Sequence, residues 1–213
     1  MLATAELRDV IAVKTFDPRR EELELQFRGN DRAHLIADVA SRLEQCGLYV
    51  AAIAFNLSLP TRDEYTLEVL AKGTRDDLAE TARSIETGEF LAPLAEMEGE
   101  ETARLNWLGA PAFHLALSTP DRPGLTAKIA RIVGKPRATR VPLACPRGSF
   151  VHLLGATSNC GGPQGGTPYF SLRANVACPS HEVLVQIFAD LQDWAHKAGL
   201  EGDLFLQDLT TAG

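Results

Sequence analysis

The chain has little from which to build a reactive centre. Its four cysteines, Cys46, Cys145, Cys160 and Cys178, lie far apart, with no C-x-x-C pair and no histidine beside them at finger spacing, so no metal ligand is assigned. Thiols dispersed in this way read as reduced cysteines of a reducing compartment. No G-x-S-x-G, H-E-x-x-H or Walker A pattern occurs. Gly161, Gly162, Gly165 and Gly166 lack the Lys-Ser/Thr that follows a phosphate loop and read as a flexible hairpin connection. Without a nucleophile, base and orienting group in a recognisable pattern, the expectation is a protein that is not an enzyme and takes no cofactor.

Long apolar runs are also missing. None approaches the roughly 20 residues that span a bilayer, which leaves no membrane partner. The N-terminus, with Glu6, Arg8 and Asp9 among short apolar stretches, lacks the basic and then unbroken apolar regions of a secretory signal. A cytoplasmic location is therefore expected. Net charge is scarce as well, and unevenly placed: residues 1–109 carry 12 Lys/Arg against 21 Asp/Glu, a balance of −9, and residues 110–213 carry 9 against 7, a balance of +2. An acidic half argues against a nucleic-acid footprint over the whole chain.

What is present is a repeated phrase. Asn30-Asp31-Arg32-Ala33-His34-Leu35 reappears ninety residues later as Pro120-Asp121-Arg122-Pro123-Gly124-Leu125, each time between an alternating apolar run and a helically spaced one. Laying residues 23–43 over 113–133 without gaps gives six identities in 21 positions, where chance gives about one or two. This is internal duplication, and 213 residues accommodate two domains of roughly 100 residues each.

The elements follow from periodicity. Residues 1–20 form a lead-in in which Leu7, Val10 and Ile11 have helical spacing, while Val10–Phe16 could equally be an edge strand. Leu23, Leu25 and Phe27 alternate with Glu22, Glu24 and Gln26 as a half-buried strand. Leu35, Ile36, Val39, Ala40 and Leu43 mark a helix that Gly47 ends. Two strands, at 49–59 and 65–70, precede a helix capped by Thr74 with Asp76 and Asp77 in its first turn, and 102–107 is a plausible fourth strand.

The second copy repeats this order. It has a strand at 113–117, a helix with Leu125, Ile129 and Ile132, strands at 150–157 and 169–177, a helix begun by Pro179-Ser180, and a closing strand at Leu204 and Leu206. Residues 134–149, with Pro136, Pro142, Pro146, Arg137, Arg140 and Arg147, interrupt it. They read as a solvated excursion, an anion-binding or partner-binding loop, or a local change of reading frame.

Two β-α-β-β-α-β units specify an α+β fold of two ferredoxin-like units in tandem, antiparallel sheets with helices on one face. The domains are placed at 21–109 and 110–213. RNA binding on such sheets needs exposed aromatics, and none cluster on the central strands. The cations Lys128, Arg131, Lys135, Arg137, Arg140 and Arg147 do not suffice without them, so no direct nucleic-acid binding is expected.

The phrase Asp121-Arg122-Pro123-Gly124-Leu125 resembles the signature of ACT domains, small amino-acid-binding regulatory modules. Gly166-Thr167-Pro168-Tyr169-Phe170-Ser171-Leu172-Arg173-Ala174, with Val176 to Pro179, is similar to the third strand of the second unit in tandem-ACT proteins of the glycine cleavage system transcriptional repressor group. The resemblance covers about Glu22 to Leu209.

The resemblance implies a small amino acid bound at the turn where two modules pair. Asp121 or Asn30 would take the ammonium group, and the amides near Gly124 the carboxylate. The physics agrees: a helix N-terminus presents unpaired N–H groups and partial positive charge, and glycine permits close approach. Asp121, Arg122, Pro123, Gly124 and Leu125 are the candidate ligand residues, with Asn30, Asp31 and His34 of the first copy. There Ala33-His34 replaces Pro-Gly, so either His34 serves a different ligand or the turn only starts its helix.

The regulatory reading expects ligand-dependent self-association, a homodimer through sheet or helix pairing, and control of a protein partner. The alternative is an interaction module without a working ligand site, whose helix-start aspartates act merely as caps.

Overall fold

The computed structural model describes residues 10–30, 35–57, 64–90, 111–135, 152–161 and 169–209. Its elements run β1 (Val10–Asp17), β2 (Glu22–Asn30), α1 (Leu35–Gln45), β3 (Tyr49–Leu57), β4 (Glu64–Lys72), α2 (Arg75–Glu86), β5 (Ala112–Pro120), α3 (Leu125–Gly134), β6 (His152–Gly161), β7 (Tyr169–Ala177), α4 (His181–Ala198) and β8 (Leu204–Asp208). The duplication is visible in the bounds. β2 and β5 span the same positions ninety residues apart, and α1 and α3 start ninety residues apart. β3 and β6 each carry an irregularity at the same place, between Val50 and Ala52 and between Leu153 and Gly155; bulges at matching positions are features of a fold rather than accidents.

The two units join in one eight-stranded sheet of order β1-β2-β4-β3-β6-β7-β5-β8, in which each described neighbour is antiparallel. The second unit has the complete ferredoxin-like order β6-β7-β5-β8. The first matches it, except that β1 stands beside β2 where a fourth strand belongs. The proposed strand at 102–107 lies outside the described residues. Of the two readings of Val10–Phe16, the edge strand is the one observed. Asp17 supplies the turn back into β2, because its Oδ1 accepts from the amides of Arg19 at 2.9 Å and Arg20 at 3.3 Å.

The units meet where β3 pairs with β6, through Ala52↔Asn159, Ala54↔Thr157 and Asn56↔Gly155. Corresponding positions here differ by 103, so Ala54 and Thr157 are equivalent residues facing each other on a local two-fold axis. Sheet pairing, expected between chains, is thus used inside one chain.

Strict alternation decides which face is buried. Leu23, Leu25 and Phe27 on β2, Tyr65, Leu67 and Val69 on β4, Phe113, Leu115 and Leu117 on β5, and Phe170, Leu172 and Val176 on β7 are all at most 4% exposed. They form a single core cluster across both units, with Leu35, Val39 and Leu43 of α1, Leu125 and Ile129 of α3, and Val183, Leu184, Ile187 and Leu191 of α4. Burying one such side chain contributes about 1.5–3 kcal/mol. Phe113 meets Phe188 edge to face with ring centres 5.1 Å apart, and Phe90, fully buried, lies against Phe27.

The helices stop and start where local chemistry dictates. α1 ends at Gly47, φ +77, where the Leu48 amide donates back to the Leu43 carbonyl at 2.9 Å. From there β3 begins after residues 46–48, whereas α3 and β6 are separated by residues 135–151. Most of the Pro/Arg-rich insertion assigned to 134–149, and the glycine loop at 162–168, lie outside the described residues.

Candidate functional site

The seam between the units brings α1 and α3 side by side, and the second copy of the repeated phrase stands at its end. The β5–α3 turn closes on Gly124, which caps α3 in the left-handed region at φ 83, ψ 2 and provides no side-chain hydrogen bond. No acidic residue occupies the first turn of α3. The other two helices with described N-caps differ: Thr74 accepts from the Asp77 amide at 3.3 Å, and Ser180 from the Val183 amide at 3.3 Å. The first turn of α2 holds Asp76 and Asp77, and that of α4 holds Glu182. α3 therefore begins with the positive end of its dipole and with no carboxylate in its own first turn.

A carboxylate of the other unit lies close to this turn. A Cβ built on Gly124 would lie 3.3 Å from Oε1 of Glu44, near the C-terminus of α1. The second oxygen, Oε2, pairs with Arg131 Nη2 at 3.0 Å. Arg131, two turns into α3, also donates to Ser41 Oγ from Nη2 at 2.6 Å and from Nε at 3.2 Å. Ser41 and Arg131 are themselves ninety residues apart, so equivalent positions touch each other on the local axis.

Of the sequence-predicted residues, Gly124 holds the helix start. Leu125 is in the core at 7% exposure. Arg122 is exposed and reaches the other way, donating from Nη1 to the Ala198 carbonyl at 3.4 Å; a cation there complements the C-terminal end of α4. Asp121 is half-buried and Pro123 exposed. Asp31 and His34 lie outside the described residues, as does the side chain of Asn30 at the end of β2, so the two copies of the phrase are described unequally. In the cationic group, Arg131 is engaged as above, Lys135 Nζ is 4.0 Å from Asp190, and Arg137, Arg140 and Arg147 lie outside the described residues.

Two hydroxyls bracket the same turn. Thr119 at the end of β5 is fully buried, Thr126 in the first turn of α3 is 4% exposed, and neither finds a hydrogen-bond partner. An unsatisfied buried hydroxyl costs about 1–3 kcal/mol. Thr119 was legible, because the alternation of β5 puts it on the face of Phe113, Leu115 and Leu117. Glu44 carried no such signal, since only the docking of α1 on α3 sets it beside Gly124. Among the described residues, no group of three or more His, Cys, Asp or Glu could hold a metal ion, and no helix is long and apolar enough to cross a membrane.

No family model and no curated protein matches the chain. Among solved structures it is similar to aspartate kinase from Synechocystis, at 13% identity and a TM-score of 0.49, over 89% of this chain and 29% of that one. It is similar also to a protein of unknown function from Galdieria sulphuraria, at 14% identity and a TM-score of 0.35, over 89% of this chain and 98% of that one. A third is a protein assigned as a glycine cleavage system transcriptional repressor, at 14% identity and a TM-score of 0.38, over 88% of this chain and 96% of that one. The chain thus spans less than a third of the aspartate kinase chain that it matches.

Proposed function

We propose that this chain is an amino-acid-responsive regulatory module rather than an enzyme, acting in the cytoplasm through self-association or control of a protein partner. The observation that carries the reading is the start of α3: a helix N-terminus at the inter-unit seam, opened by a left-handed glycine with no capping side chain of its own. Such an end favours a carboxylate. The ACT-like wording of Asp121 to Leu125 and the two unsatisfied hydroxyls of Thr119 and Thr126 support it. In this reading the amides after Gly124 receive the ligand carboxylate and Asp121 its ammonium group.

Calorimetry and thermal melting with each of the twenty amino acids, at millimolar concentration, test the proposal. A ligand selective for the native state raises the melting temperature by mass action, and light scattering reads the accompanying change in association. Silence in all three measurements sinks it. The second reading, an interaction module without a ligand site, is favoured by Arg122 turning to Ala198. It predicts that self-association is the same with and without amino acids.

A further inference from the structure

We infer that Glu44 is a tethered anion: the carboxylate of the first unit serves the N-terminus of α3 in the second, and an external carboxylate reaches that end only by displacing it. This rests on the ligand reading above for its displacement half, and on geometry alone for its tethering half.

Four observations converge on it. The N-cap of α3 is a glycine that offers no side-chain hydrogen bond, and its first turn has no acid. Glu44 Oε1 lies against Gly124, at 3.3 Å from the place a Cβ would take. The other oxygen is held by Arg131 at 3.0 Å, and Arg131 is itself anchored on Ser41 of α1. The first turn also holds the buried, unpartnered hydroxyl of Thr126. One carboxylate thus spans a guanidinium and a helix start, each of which favours negative charge.

The duplication sharpens the point. Counting ninety residues on, Gly124 corresponds to His34 and Glu44 to Gly134. In sequence the glycine and the bulkier residue are exchanged: where the second copy has Gly124 the first has His34, and where the first has Glu44 the second has Gly134. Glu44 therefore belongs to the second turn specifically.

Displacement has a structural consequence. A ligand carboxylate at α3 frees Glu44 from Gly124 and removes a tie between α1 and α3, so occupancy is coupled to the contact between the units. Arg131 and Gly124 of α3 lie against Glu44, and Arg131 in turn holds Ser41 on the same helix as Glu44. Its side chain is 35% exposed, so an exit toward solvent exists.

The test compares the wild-type chain with Glu44→Gln, which keeps the shape and removes the charge. In amide NMR spectra, Glu44→Gln should shift the Gly124 and Leu125 resonances more than those of amides in the last turn of α3. Glycine, as the smallest zwitterionic probe, together with the other amino acids in turn, should bind Glu44→Gln about fivefold or more tightly than wild type, because Arg131 and the helix end then lack their resident anion. Amides that do not respond to Glu44 overturn the inference, whatever binds. Equal or weaker binding to the variant overturns displacement while leaving the ligand reading intact. Amides that respond to Glu44, with no amino acid bound by either form, retain the tether and sink the ligand reading instead.

Discussion

The two strand-to-helix turns are copies of one phrase, and they have diverged in the atoms that decide what a helix end can hold. At the second turn Gly124 takes a left-handed conformation, and a carboxylate from the other unit comes against it. At the corresponding place of the first, the sequence has an imidazole, and a glycine stands where that carboxylate would originate. The lesson is that duplication preserves what packing requires, while the two residues before the conserved leucine of the turn have been released. Leu25 and Leu115, Leu35 and Leu125, and Ala37 and Ala127 are retained pairs, and all six are buried. Between them Asp31-Arg32 and Asp121-Arg122 are retained as well, whereas Ala33-His34 and Pro123-Gly124 differ.

The strongest test of that equivalence is in the core. Leu25→Ala and Leu115→Ala remove the same side chain from corresponding strands of one cluster, and each should cost about 2–5 kcal/mol. Urea unfolding followed by circular dichroism should show a single transition shifted alike by both. A first unit that melts alone in Leu25→Ala would break the view of one shared core.

A smaller effect separates the turns. Gly124→Ala places a Cβ in a left-handed residue, at a cost of about 1–2 kcal/mol, and directs it at Glu44. The combination with Glu44→Ala should recover the crowding part of the loss but not the backbone part. Full recovery in a thermal melt would show that the conformation of Gly124 carries no strain for alanine.

The caps offer a control in which the copies should agree. Thr74 and Ser180 precede corresponding helices, and each accepts from the amide three residues on; Thr74→Ala and Ser180→Ala should each cost about 1 kcal/mol. Unequal losses in chemical denaturation would mean that the two helices depend on their ends differently.

The smallest expected effect lies on the open face of the sheet, where the units differ in charge. The Lys14 ammonium, by hydrogen bond and then by charge, with Gln26 adding a further hydrogen bond, holds the Glu68 carboxyl below its ordinary value of 4.5. Arg173 occupies the corresponding position of the second unit, 105 residues on. A lowered carboxyl stabilises the fold fully above its unfolded value, and this contribution disappears as pH falls through the folded one. Lys14→Met should therefore make stability fall less steeply with pH below about 4.5, by under about 1 kcal/mol in total for so exposed a pair. Arg173→Met should leave that slope unchanged; a change there would show that the carboxylates of the two faces are coupled.

Much of this was legible because it is local. The alternation through Leu23, Leu25 and Phe27 identifies β2, and its repeat through Phe113, Leu115 and Leu117 identifies β5. Thr74 and Ser180 mark helix starts by their side-chain oxygens, and Gly47 marks a helix end by its freedom at positive φ. Val10–Phe16 was ambiguous, since a short apolar stretch fits two periods equally well; its place beside β2 follows from the Asp17 turn and from the open edge that β2 presents. At the site, Gly124 and Leu125 were readable as helix start and core, while Arg122 gave no sign of its contact with α4.

Residue order alone settled the repeat, the alternation that chooses the buried face, and the caps, because these depend on spacings of a few residues along one backbone. Joining β3 to β6 into one sheet, placing β1 at its edge and bringing Glu44 to Gly124 required the assembled fold. Those contacts join residues from 5 to 107 positions apart, most of them far beyond one turn, and their nearness follows from which faces and edges remain to be covered once the local elements have formed.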